Sequence, residues 1–112
     1  MKNGTLQAVI STSAELAALC AREINMNQFS GFWKQVSAVA TNLFTEGARR
    51  DELVDLGNKI GAAFNYHPGE FLDMYVIRRN PDEQRAANDD FDKLKERMLS
   101  LAGEVIDLGE AL

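Results

Sequence analysis

The sequence predicts an all-α fold: about five helices in a small bundle, the last a long C-terminal helix of coiled-coil periodicity. Three observations carry that expectation. Apolar residues recur at spacings of three and four through most of the chain, the repeat of an amphipathic helix. Asn80-Pro81-Asp82-Glu83 joins an asparagine cap, a proline suited to a first turn and two carboxylates at the positive end of a helix dipole. After it, Ala87, Phe91, Leu94, Met98, Leu101, Val105, Leu108 and Leu112 follow at alternating gaps of four and three, an unbroken heptad rhythm.

Taken in order, residues 5–10 are a short apolar lead-in, and residues 1–11 are expected to form an arm or extension. Thr12-Ser13-Ala14-Glu15 has the form of a capping box, and the helix after it should bury Leu16, Leu19, Cys20 and Ile24. Asn25 and Asn27 interrupt the pattern. A second helix carries Phe29, Phe32, Trp33, Val36, Val39, Ala40, Leu43 and Phe44, and stops at Gly47. A third runs from about residue 49 to 64 on Leu53, Leu56, Gly57, Ile60, Gly61 and Phe64, with Asp51 and Glu52 in its first turn. Gly57 and Gly61 share one face and predict close approach of a neighbouring helix. Tyr66-His67-Pro68-Gly69 reads as a corner, because a residue before proline is pushed out of helical geometry. Residues 71–77 fit a buried helix or a short strand; helix is favoured, since a strand would need residues 5–10 or another chain as its partner.

The C-terminal helix, residues 81–111, would be about 45 Å long at 1.5 Å per residue. A compact domain of this size has a gyration radius of about 13 Å. Part of the helix should therefore project or pack on a second copy, and Phe91, Leu94, Met98 and Leu101 are the expected dimer interface. No linker composition or internal repeat divides the chain, so residues 1–112 are expected to be a single helical domain. At 112 residues and 46% apolar content, there is material for one core and not two.

Charge is uneven. Residues 1–79 hold eight basic and eight acidic side chains, residues 80–112 four and nine, which places the whole net charge of −5 in the last third. Such a field disfavours nucleic acid and anionic membrane. No apolar run approaches the roughly 18 residues that span a bilayer. The start of the chain is a poor secretory signal, and one cysteine builds no disulfide framework. A soluble, cytoplasmic protein is expected.

Chemistry is sparsely signalled. A catalytic reading would begin at His67, the one histidine, with Tyr66, Glu70 and Asp73 nearby, yet no nucleophile is recognisably set up for it. Metal ligation lacks its spacings, since no Glu-x-x-His or His-Glu-x-x-His occurs. The run Asp89, Asp90, Asp92 has neither the glycine turn nor the closing glutamate of a calcium loop. The glycines form no phosphate cradle. No catalytic residue, cofactor or metal is assigned.

What remains is action by contact. Eight of the nine aromatics lie between residues 29 and 75. Trp, Tyr and Arg dominate interface hot spots, so Trp33, Tyr66, Tyr75, Arg78 and Arg79 are the candidate partner-binding residues. Met26, Met74 and Met98 would make such a surface adaptable. No family motif maps onto the chain residue by residue. In size, charge and helicity it resembles small acidic helical regulators that sequester another protein, such as bacterial anti-activators of transcription factors, secretion chaperones and immunity proteins. The expected function is that of a non-enzymatic regulatory protein, a homodimer, that inhibits or sequesters a protein partner. The alternatives are a small enzyme centred on His67 and a helix-turn-helix-like DNA-binding regulator using the arginine doublets.

Overall fold

The computed structural model describes residues 2–65, 71 and 74–112. Among them lie four α-helices and no strand: α1 (Lys2–Arg22), α2 (Ser30–Glu46), α3 (Arg50–Asn65) and α4 (Pro81–Glu110), with a 3-10 turn at Ile24–Phe29 between the first two. The all-α expectation holds, with four helices in place of five.

The helix that is absent is the one expected at residues 71–77, and a second difference lies at the N-terminus. Helix α1 runs unbroken from Lys2, so residues 5–10 are neither arm nor strand, and Thr12-Ser13-Ala14-Glu15 lies mid-helix. The stripe starts earlier than Leu16: Leu6, Val9, Ser13, Leu16 and Cys20 are all buried. Ser13 tolerates burial because its Oγ donates to the Val9 carbonyl at 2.6 Å. Small side chains at Thr12 and Ser13, read locally as a cap, instead occupy core positions where α2 crosses, and Ser37 Oγ reaches the Ile10 carbonyl at 3.3 Å.

Neighbouring helices run antiparallel. Leu6 lies by Leu43 and Phe44, and Ile10 by Ser37; Leu53 lies by Gly109, and Gly57 by Ala102 and Ile106. The turn after α2 uses Gly47 at φ 90°, a conformation open to glycine, with its N–H donating to Leu43. The N-terminus of α3 is closed by Glu52, whose carboxylate accepts from the Arg49 N–H at 2.9 Å. Gly57 lies against α4 as predicted, but Gly61 does not: a Cβ there would meet nothing within 4 Å.

Helix α4 begins as the sequence requires, with Asn80 Oδ1 accepting from the N–H groups of Asp82 and Glu83 at 2.8 and 3.1 Å. Its 30 residues set the long axis of the molecule, 48 Å against 26 and 21 Å across. The expectation of an exposed interface at Phe91, Met98 and Leu101 is corrected. Phe91, Met98 and Leu101 are buried in the chain's own core, and Leu94 is partly buried against it. Helix α3, with 16 residues, covers only the distal half of α4. The proximal half is met instead by Phe71, on Phe91, and by residues 74–78, which bond to Gln84, Asn88 and Lys95. Most of the apolar seam is thus covered by the chain itself, while Leu112 at its end is exposed.

Residues 74–78 are neither helix nor strand, which corrects the helical reading at residues 74–77; residues 72 and 73 lie outside the described residues. Phe71 is buried and touches a ring from each surrounding element: Phe29 at 5.3 Å, Trp33 at 5.2 Å, Phe64 at 5.6 Å and Phe91 at 5.5 Å between centroids. These are edge and tilted geometries that add about 0.5–1.5 kcal/mol per pair beyond area burial. One side chain of the connection thereby closes this end of the bundle.

Candidate functional site

Past Phe71 the chain forms a strap, residues 74–78, laid between the 3-10 turn and α4. Side chains of α4 satisfy its backbone. Lys95 Nζ donates to the Met74 carbonyl at 3.0 Å. Asn88 clasps Val76, accepting from its N–H at 2.7 Å and donating to its carbonyl at 2.8 Å. Gln84 Oε1 accepts from the Arg78 N–H at 2.9 Å. A strand neighbour would offer backbone groups to this segment; here a helix offers side chains at positions 84, 88 and 95. That is why the strap can stay ordered without helical or sheet bonds of its own.

The other flank is tied to the end of α1. Arg78 forks onto Glu23, with Nη1–Oε1 and Nη2–Oε2 both at 2.8 Å, the bidentate arrangement that makes arginine–carboxylate pairs strong. Glu23 is buried, and the hydrogen bonds from Arg78 hold its carboxyl below the ordinary carboxylate range. The same contact raises the Arg78 guanidinium above its ordinary value. Asn25 Nδ2 donates to the Tyr75 carbonyl at 2.9 Å. Lys95, itself buried, also pairs with Asp92 at 3.3 Å and lies 4.4 Å from the centre of the Phe91 ring.

This clamping turns Val76 inward and leaves its neighbours outside. Tyr75 and Ile77 are each 55% exposed, and Ile24, at the head of the 3-10 turn, is 90% exposed. Ile24 and Ile77 line one shallow pocket of about 380 Å3 with Arg22, Glu23 and Asn25. The placement of Ile24 is a correction: as a continuation of the α1 stripe it should be buried, but α1 ends at Arg22 and the turn throws it outward. Ile24 and Arg22 went unpredicted as site residues for that reason.

Of the five partner-binding candidates, Tyr75 and Arg78 lie on this strap and Arg79 directly after it, with Arg78 paired to Glu23. Trp33 is 0% exposed in the aromatic cluster and is no surface anchor; no acceptor lies within reach of its indole N–H among the described residues. Met26 and Met98 are likewise core, and Met74 packs against it. Tyr66 and His67, with Glu70 and Asp73, lie outside the described residues. Cys20 is buried, and desolvation, with Glu23 nearby, pushes its thiol up to about 11. It is a packing group at neutral pH.

Elsewhere a groove of about 410 Å3 runs between α3 and α4 past Gly57, Gly61, Leu99 and Gly103. A smaller pocket of about 260 Å3 closes the opposite end at Leu6, Phe44 and Leu112. No helix among the described residues is long and apolar enough to cross a membrane. Nor do three His, Cys, Asp or Glu side chains gather among those residues in a way that could hold a metal ion. Comparison with protein-family models, with curated proteins and with solved structures gave no match in any of the three.

Proposed function

We propose that this chain is a non-enzymatic binding protein that inhibits or sequesters another protein, in the cytoplasm, through the Ile24–Tyr75–Ile77 end of the bundle. One observation carries the reading: three large apolar side chains stand exposed together on backbone that is itself held fixed. Single exposed apolar residues are ordinary, but a cluster of them marks an interaction site. A clamped strap also loses little conformational entropy on docking, which favours affinity. Tyr75 and the arginines beside it are the residue types that dominate measured hot spots.

The test is quantitative affinity capture from native lysate with the wild-type chain and with Ile24→Asp/Ile77→Asp, both checked for fold by far-UV circular dichroism. A protein retained stoichiometrically by the wild type and lost with the double variant is the expected result. Retention of the same proteins by both chains, or of none by the wild type, would sink the proposal.

A further inference from the structure

We propose that the groove between α3 and α4 docks a basic amphipathic helix of another protein, with one large apolar side chain of that helix seated over Gly61 and Gly103. This is a second surface, beyond the Ile24–Tyr75–Ile77 end.

The glycines point to it. Helices α3 and α4 hold four of them, and glycine within a helix is destabilising relative to alanine. Packing accounts for two. A Cβ on Gly57 would stand 2.7 Å from the Ala102 carbonyl oxygen of α4, and one on Gly109 would stand 2.9 Å from the Arg50 carbonyl oxygen of α3. A Cβ on Gly61 or Gly103 would meet nothing within 4 Å. Both instead line one groove of about 410 Å3, beside Leu99, which is 40% exposed. Their missing side chains leave room that nothing among the described residues fills.

Charge selects the occupant. One helical turn from the lining residues stand the carboxylates of Asp55, Glu96, Asp107 and Glu110, all exposed and none in a salt bridge among the described residues. Against them are Lys59 and Lys95, and Lys95 is buried and already bonded to Asp92 and the Met74 carbonyl. Two turns away, Arg50 and Asp51 offset each other. A second copy would set the same carboxylates face to face, and nucleic acid or an anionic membrane would be repelled. A helix with an apolar stripe flanked by lysines or arginines finds both of its complements here.

The experiment uses two short fluorescein-labelled helical peptides with the same leucine stripe, one with lysines on the remaining face and one with glutamates. Binding is followed by anisotropy. The lysine peptide should bind about ten-fold more tightly, by a margin that shrinks with added salt. Glu96→Lys/Asp107→Lys should erase the preference, whereas Asp89→Lys/Asp90→Lys, the same charge change away from the groove, should keep most of it. Gly103→Leu, which fills the open space, should weaken the lysine peptide about ten-fold, and Ile24→Asp should leave it unchanged. Circular dichroism confirms that each variant is folded; if Gly103→Leu unfolds, Gly61→Ala/Gly103→Ala, which favours both helices, reads the same effect. Equal binding of the two peptides, binding of neither, or an affinity indifferent to filling the groove overturns the proposal. Loss of binding with Ile24→Asp would move the peptide to the strap, and a dimer that Gly103→Leu dissolves would make the occupant a second copy; either result also defeats it. Partner capture through the strap keeps its own test in every case.

Discussion

Two glycines four residues apart on α3 should respond to alanine with opposite signs. Replacing glycine by alanine inside a helix gains about 1 kcal/mol from backbone propensity alone. At Gly57 the new Cβ would press on the Ile106 side chain and stand 2.7 Å from the Ala102 carbonyl oxygen. Ordinary contacts between non-bonded atoms are about 3.5 Å or more, so the helices must separate by roughly half an ångström or more. Ile106 can rotate, but a backbone carbonyl cannot. Helix α4 is also pinned further along, where a Cβ on Gly109 would stand 2.9 Å from the Arg50 carbonyl, so it cannot simply tilt away. Overpacking of this kind costs about 1–3 kcal/mol, which cancels or exceeds the propensity gain. Gly57→Ala should lose about 1 kcal/mol net. A Cβ on Gly61 meets nothing within 4 Å, so Gly61→Ala should gain about 0.5–1 kcal/mol. The two variants should therefore differ by about 2 kcal/mol, or roughly 8 °C or more in melting temperature. Thermal and urea unfolding followed by circular dichroism measure this directly. Variants of equal stability, or Gly57→Ala more stable than Gly61→Ala, would refute the close approach of α3 and α4.

Phe71→Ala should cost about 3–5 kcal/mol, because it empties the centre of the aromatic cluster; a loss under about 1 kcal/mol in urea titration would mean the connection does not plug the bundle. Asn80→Ala should cost about 1 kcal/mol by removing the acceptor for two α4 N–H groups, and an unchanged urea midpoint would argue against the cap. Because Glu23 has a lowered folded-state pKa, its contribution is full above the ordinary carboxylate value of about 4.3 and is lost as pH falls through the lowered one. Glu23→Gln should flatten that acid limb of the stability curve, and identical curves for the two chains would contradict the Arg78 clamp. Cys20 should resist thiol reagents at neutral pH until denaturant is added. Its stabilising effect is present below 9.0 and fades as pH climbs through about 11; rapid labelling of the folded chain would place the thiol outside the core.

Signals whose partners lie within one turn of backbone were legible in the sequence. Asn80-Pro81-Asp82-Glu83 starts α4 where it was expected, because a cap is satisfied by N–H groups two and three residues on. Gly47 ends α2 for a similarly local reason. The apolar stripes of α2, α3 and α4 were legible as faces, since periodicity alone defines a face. What a face packs against is not local. Phe91, Met98 and Leu101 read equally well as a dimer seam or as core, and only the folding back of α3 and its connection decides for core. Thr12-Ser13-Ala14-Glu15 satisfies the pattern of a cap, yet burial of Leu6 and Val9 against neighbouring helices carries α1 straight through it. The candidate surface depends most on tertiary structure. Ile24 is exposed because α1 ends two residues before it, and Tyr75 and Ile77 face outward because Glu23, Asn25, Gln84, Asn88 and Lys95 fix the strap between them. Those five side chains lie up to 72 positions apart in the chain, and no periodicity links them. The sequence by itself determined helices and their apolar faces; the exposed end that could bind a partner arises only where two distant segments are tied together.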